Sequence, residues 1–373
     1  MNKVTFIKAD ARQDAALRRF LRESRGCLRL EREPSYFEAL DVEGQRVDVM
    51  VGLDGQSIIA LGTRSEKPCY VNGLSEPVSM GYVSNVRIAP GWRRTSTLFH
   101  GYRFFRKLHK KGACSFYLMT VMEDNSSVLK IMRNSAGLSL LTPEMKSLPA
   151  IQPLGTLHTY ILTVADPSGA TVCKVADDVS VRPATAEDLP DIVAFVRRQG
   201  PRRQFFPAYS PEDIAGSGLL KGLEAQDIFL AWKGGRLVGT LGAWDQSLYR
   251  QWYRDEPGGR APKCDERCAE PGINSSVTAE RVSSRMLALV CIADDRPEVL
   301  AKLLEAAKGS MRSHSCCSSL WLGLHESDPL CAAVCGERYE LVKSSVFMVS
   351  WGEESAAPEV SAQRIPYLEL GAL

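Results

Sequence analysis

No stretch of the chain approaches 18 uninterrupted apolar residues, so the sequence offers no helix to cross a bilayer. Met1 to Asp10 contain no apolar run of signal-peptide length. Charge of one sign is missing too: 46 Lys+Arg stand against 44 Asp+Glu, a formal net charge of +2. That balance gives no global pull toward nucleic acid or an anionic surface, and no basic platform interleaved with aromatics is present. The eleven cysteines are odd in number and scattered, which fits reduced thiols in a cytoplasm rather than a disulfide framework. Cys264/Cys268 and Cys331/Cys335 are spaced C-x-x-x-C and Cys316-Cys317 are adjacent, and zinc pairs usually sit closer than C-x-x-x-C. We read them as small packed hydrophobes and expect no metal. A composition of 45% hydrophobic and 24% charged residues excludes a disordered chain, a collagen-like chain and a coiled-coil rod. The 373 residues suggest two domains or one large one.

What is there is an alternation of short patterns. Arg12 to Arg25 is an amphipathic helix, with Ala16, Leu17, Phe20 and Leu21 at helical spacing. Val47–Leu53 and Ser57–Thr63 flank Asp54-Gly55 and read as a hairpin. Met80 to Pro90 is a strand stopped by proline, Leu98 to His109 a helix closed by Gly112, Ser115 to Met122 a strand. Ser126 to Asn134 is a short helix and His158 to Val164 a strand. Asp166 to Ala170 has turn chemistry and is the best linker. After it the order restarts. Val179–Arg182 is a strand, Thr185 and Asp188 form a capping box, and Ile228–Trp232 and Arg236–Leu241 flank Gly234-Gly235. Met286–Ile292, Pro297–Ala307, Leu320–Leu324 and Ser344–Trp351 complete a strand, helix, strand, strand series. We read a tandem duplication of one α/β unit: 1–165, a linker at 166–178, and 179–373 with a long mobile surface loop at 254–284.

No Asp or Glu occurs between Glu76 and Glu123, while Arg87, Arg93, Arg94, Arg103, Arg106, Lys107, Lys110 and Lys111 do. Arg103, Arg106, Lys107 and Lys110 are a solvated helix face. Arg93-Arg94-Thr95-Ser96-Thr97 differs, because it joins a strand to a helix N-terminus. Unpaired N–H groups, a positive dipole and two guanidiniums there suit a phosphate.

This block resembles motif A of the GNAT acyltransferase superfamily. Val83-Ser84-Asn85-Val86-Arg87-Ile88-Ala89-Pro90 matches its strand, and Arg93 fills the first position of the R/Q-x-x-G-x-G/A loop. Ser96 and Leu98 hold the two small positions, so the loop lacks the usual glycines, and Leu98 adds bulk. Asp124-Asn125-Ser126-Ser127-Val128 resembles the D-N-x-x-A segment, and Met132 aligns with a tyrosine that many members use as general acid. Val181 to Leu189 and Arg236 to Thr240 resemble a second such domain, but Asp294, Asp295 and Glu298 stand where its phosphate loop belongs. Trp244-Asp245-Gln246-Ser247 and Leu322 to Pro329 are similar to segments of a bacterial group of tandem GNAT proteins, a resemblance that brings no substrate.

The resemblance implies an α/β (α+β) fold of two tandem GNAT-like domains, each a mixed, mostly antiparallel sheet flanked by helices. It implies an acyl-CoA cosubstrate, acetyl-CoA first, bound once and in the N-terminal half. The backbone of Val86, Arg87 and Ile88 would meet the pantetheine, Arg93, Arg94, Thr95, Ser96, Thr97 and Leu98 the pyrophosphate, and Asn125 would lie beside the arm. The acceptor is a primary amine, small or peptidic, attacking the thioester directly. Glu123, ending its strand, is a candidate base. Trp244 and Asp245 either line a substrate pocket or end a strand with a packed indole. His325 and Glu326 either form a base and its orienting group, or belong to a segment in which Ser327 or Asp328 caps the next helix. No nucleic-acid or membrane partner is expected, and a homodimer stays open. The alternative is a catalytically inactive binding or sensing protein on the same scaffold, resting on the missing glycines, Met132 and the acidic second loop.

Overall fold

A computed structural model describes residues 4–23, 28–93, 96–138, 149–164, 178–255, 279–313, 317–351, 359–361 and 363–373. Its elements in the first half are β1 (Thr5–Lys8), α1 (Asp14–Arg22), β2 (Leu28–Glu31), β3 (Arg46–Asp54), β4 (Ser57–Cys69), β5 (Val78–Ile88), α2 (Thr97–His109), β6 (Phe116–Met122), α3 (Ser126–Leu138) and β7 (Ala150–Thr163). The second half holds β8 (Ser180–Pro183), α4 (Leu189–Gln199), α5 (Pro211–Ile214), β9 (Ile228–Lys233), β10 (Arg236–Trp244), β11 (Gln251–Asp255), β12 (Ala279–Val282), β13 (Ser284–Ile292), α6 (Pro297–Ser313), β14 (Ser319–His325) and β15 (Tyr339–Ser350).

Local chemistry accounts for most of these. Gly234 and Gly235 both take positive φ, +53° and +73°, as a two-residue hairpin turn between Lys233 and Arg236 requires. At the capping box the Thr185 N–H donates to Asp188 Oδ2 at 2.8 Å, and a single 3₁₀ turn leads into α4. Leu17 and Leu21 bury one stripe of α1 against Val49, Val51 and Leu61.

The two mostly antiparallel sheets expected of two halves join in one. Twelve strands run in the order β1-β3-β4-β5-β6-β15-β7-β14-β13-β10-β9-β8. Only β5–β6 and β13–β14 are parallel. The order reads alike from both ends: five strands of one half, then the last strand of the other. β15 lies between β6 and β7, and β7 between β15 and β14, so the halves exchange their final strands. α2 and α3 cover one face of the first half, around Met50, Val83, Phe105, Tyr117 and Met119. Tyr82, Phe116 and Leu118 face the other way, toward Phe205 and Leu368 of the second half.

One expectation changes. The stretch 254–284 is not loop throughout: its flanks form β11 and β12, which pair with each other and, through β11, with β2 in a three-stranded sheet. Trp252 and Tyr253 give those flanks a surface to pack, Trp252 lying 4.9 Å from the Trp321 ring. The rest of that stretch, and the linker 166–177, lie outside the described residues. β1 and β2, four residues each, carry no periodic signal long enough to read. Among the described residues no helix is long and apolar enough to cross a membrane.

Candidate functional site

Each half contains one place where its sheet opens. β5 and β6 pair in parallel only from Gly81↔Tyr117 to Val83↔Met119, yet β5 runs on to Ile88 and β6 to Met122. The strands therefore splay. Asn85 sits at the opening with φ +54°, a left-handed conformation that asparagine tolerates better than most residues. β13 and β14 repeat the geometry: pairing stops at Met286↔Trp321, and Leu289 turns to φ +51°.

The two openings differ in what meets the strand edge. In the second half, the Leu289 N–H donates to Glu369 Oε2 at 3.0 Å and the Val290 N–H to the Tyr367 hydroxyl at 3.3 Å. Tyr209 and Tyr367 hydroxyls also donate to that oxygen, at 2.9 and 2.8 Å. The segment 367–373 thus lies against the opened strand, with Leu370 over Gly323 and Gly371 against the Trp244 ring. Burial pushes the Glu369 carboxyl above its usual range despite these donors. Among the described residues no side chain bonds the β5 backbone from Asn85 to Arg87, the Ile88 carbonyl being met by Arg93, and Val86 is 45% exposed there.

Beyond β5, a turn at Pro90–Trp92 leads to α2, so the strand–turn–helix order holds. Arg93 is exposed and its Nε donates back to the Ile88 carbonyl at 3.2 Å, holding the guanidinium at the end of the splayed strand. Ser96 precedes the helix and is exposed, Thr97 is buried, and Leu98 is half-buried. Arg94 and Thr95 lie outside the described residues. In the second half the matching turn holds Asp294 and Asp295, both at positive φ. Their carboxylates are paired, with Arg202 at 3.0 Å and Arg203 at 2.5 Å. Arg203 also meets Asp328, and the two acids raise its titration although burial opposes them. The acidic loop is therefore closed from within by arginines of its own half.

Behind β5 lies a buried charge cluster that sequence reasoning missed. Arg32 and Arg250, 2% and 3% exposed, both donate to Glu43 Oε1, at 2.7 and 2.6 Å. The Ser84 hydroxyl donates to Glu43 Oε2 at 3.1 Å. Arg32 stacks over the Tyr36 ring at 5.2 Å, and its Nη1 reaches toward Asn85 Oδ1 at 3.5 Å. Burial would raise the Glu43 carboxyl, but Arg32 and Arg250 outweigh it and hold it below the usual range. No spacing in the chain announces this group, because Arg250 comes from the other half, 207 positions from Glu43.

No family model and no curated protein matches the sequence. Solved structures do match in fold. The GCN5-related glucosamine N-acetyltransferase region of a fungal multi-domain GH3 β-N-acetylglucosaminidase aligns at 13% identity with a TM-score of 0.55, over 92% of this chain and 38% of that one. A tandem GNAT protein from the clavulanic acid biosynthesis pathway aligns at 11% and 0.54, over 95% of this chain and 100% of that one. The GCN5-related N-acetyltransferase from Anabaena variabilis aligns at 9% and 0.50, over 93% and 72%. This chain carries the tandem GNAT fold. At these identities the likeness is one of fold.

Within the tandem GNAT fold the remaining expected residues fall as follows. Asn125 Oδ1 accepts from the Val128 N–H at 3.4 Å and caps α3. Glu123 is exposed at the end of β6, its N–H donating to the Lys343 carbonyl at 3.0 Å. Met132 is buried in the core of the N-terminal unit. Trp244 is fully buried and its Nε1 donates to the Lys221 carbonyl at 3.0 Å. Asp245 accepts from the Ser247 N–H at 2.9 Å and lies 3.6 Å from Arg285. His325 uses both ring nitrogens, Nε2 with the Leu154 carbonyl at 2.8 Å and Nδ1 with the Ser327 hydroxyl at 2.7 Å. Glu326 Oε1 accepts from the Thr156 N–H at 3.0 Å. Asp328 caps the following 3₁₀ turn through the Leu330 N–H at 2.9 Å. These four substrate candidates are therefore engaged within the second sheet half, Trp244 and Asp245 with Lys221, Ser247 and Arg285, His325 and Glu326 with the β7 backbone at Leu154 and Thr156.

Proposed function

We propose that the N-terminal unit binds an acyl-CoA, acetyl-CoA first, and that the protein transfers the acyl group to a primary amine. The contrast between the two splays carries this reading: among the described residues one strand edge meets only the Arg93 guanidinium, at Ile88, while the other is taken by Glu369 and Tyr367 and followed by paired acids. The residues of the first splay fit the group. The backbone of Val86, Arg87 and Ile88 offers N–H and C=O groups to pantetheine amides. Arg93, Ser96, Thr97 and Leu98 lie at the α2 N-terminus, where a pyrophosphate gains from helix dipole and guanidinium together, and Arg94 and Thr95 complete the proposed set by sequence. Asn125 stands at the head of α3, beside β6. An acyl-CoA would supply the thioester carbonyl at the splay. Glu123, at the end of β6, takes the proton that the amine loses as its nitrogen bonds to that carbonyl. Met132 has no proton to give, so water protonates the departing thiolate.

Calorimetric titration of the intact protein with acetyl-CoA tests the reading. Saturable heat is expected, and the double variant Arg93→Ala, Arg94→Ala weakens binding by at least about tenfold, the value of a charge-assisted bond. No heat at high-micromolar ligand would sink it. A second reading, a binding or sensing protein without turnover, is favoured by the burial of Met132 and by Leu98 at a position that wants a small residue. Thiol release from acetyl-CoA over an amine panel separates the two: binding without release selects the second.

A further inference from the structure

The cluster behind β5 brings the guanidiniums of Arg32, Arg250 and Arg87 near the Glu43 carboxylate. Glu43 is shared by Arg32 and Arg250, whose Nη2 atoms both meet its Oε1. Arg87 belongs to the same strand edge, two to three residues beyond Ser84 and Asn85, which touch Glu43 and Arg32. Its register partner on β4 is Leu61, two residues before Thr63, whose hydroxyl is 3.1 Å from that of Tyr36. Arg87 therefore lies on the same face of the sheet as Tyr36, over which Arg32 stacks, and the Arg32 charge acts on it. Arg87 is half-buried and has no hydrogen-bond or ion-pair partner among the described residues. Arg32 Nε is buried and likewise unpartnered. Two neighbouring guanidiniums with one carboxylate already spoken for are costly in a partly desolvated place, and an anion relieves them. Burial and Arg32 both depress Arg87, yet an arginine keeps its charge at neutral pH.

We propose that Arg87 and Arg32 receive an oxyanion, carboxylate or phosphate, carried by the acceptor amine. This rests on the acyltransferase reading, since it names the acceptor of that site. The acceptor then enters between β5 and the segment of Arg32 to Glu43, opposite the α2 face, with its anion on the guanidiniums and its amine toward the splay. Arg250, bonded to Glu43, makes the cluster a joint product of both GNAT units.

The test titrates the intact protein with matched probes: each L-amino acid against its carboxamide, and ethanolamine phosphate against ethanolamine. At least one anionic member should bind about tenfold tighter than its neutral partner. The carboxylate pairs and the phosphate pair report which oxyanion is taken. In Arg87→Gln the difference should vanish, and Arg87→Lys should restore part of it. Without ligand, Arg87→Gln should melt about 2 °C higher, because a like charge has left Arg32's side. Equal binding within every pair, or a preference that survives Arg87→Gln, overturns the proposal. So does a lower melting point for Arg87→Gln, which would mean that the guanidinium has a stabilising partner. Acetyl-CoA heat measured on the same protein keeps the two readings apart: heat without anion preference ends this proposal alone, and anion preference without heat ends the transferase reading alone.

Discussion

At the scale of single residues, the deciding groups are buried charges whose partners are distant in the chain. Glu369 is an example. One of its oxygens accepts from Leu289, Tyr209 and Tyr367, and the other, Oε1, is buried with no partner. Burial raises its titration above the ordinary glutamate value. A carboxyl that binds its proton more tightly when folded contributes stability below the unfolded value and loses it as pH rises through the folded one. The wild type should therefore lose stability above the ordinary glutamate range, and Glu369→Gln should not. The melting points of the two proteins, compared from pH 4 to pH 8, should diverge in the variant's favour as pH rises. Parallel curves would mean that Glu369 titrates normally. The strand–turn–helix order around Arg93 was legible in the sequence, because that signal is local. The Arg32–Glu43–Arg250 cluster was not, because it depends on contacts between segments far apart.

At the scale of elements, turns and caps were readable where backbone chemistry is demanding. Gly234-Gly235 and the Thr185–Asp188 box follow from conformations that few residues adopt. The β-bulge in β7 is as demanding but carries no flanking pattern. There Gly155 takes φ +101°, and a Cβ would stand 2.4 Å from His325 Nε2 and 2.8 Å from Glu326 Oε1. The bulge lets Val346 and Phe347 of β15 meet Gly155 and Pro153. It also brings the Leu154 carbonyl to His325. Gly155→Ala should cost about 2–3 kcal/mol, combining backbone strain with displacement of His325. Gly91→Ala is the matched control, since a Cβ there meets nothing within 4 Å. Urea midpoints for the two variants check this, and equal midpoints would remove His325 from the bulge. The short strands β1, β2, β11 and β12 escaped notice for a simpler reason: four or five residues do not establish a period.

At the scale of the whole molecule, the exchange of β7 and β15 makes one sheet of two units. β7 has neighbours only from the second half, and β6 meets β15 along seven residues from Phe116 to Met122. Unfolding one unit alone would strip edges from the other and expose unpaired backbone. The intact chain should therefore lose near-UV and far-UV dichroism in one coincident urea transition. Residues 1–165 expressed alone should fail to give a folded monomer, because β7 would lack both partners. Two separated transitions, or a folded 1–165, would show that the exchange adds little.

The sequence by itself determined the kinds and order of the longer elements, the repeat of one α/β unit, and the place of the basic strand–turn–helix. Those properties come from side-chain periodicity, turn residues and charge within a dozen positions. Tertiary structure alone decided which final strand completes which unit, that Glu369 and Tyr367 close the second splay, and that Arg250 reaches Glu43 in the first. Strand partners are chosen by registers and buried charges that meet only after the chain has returned on itself. No local pattern in either half carries that information.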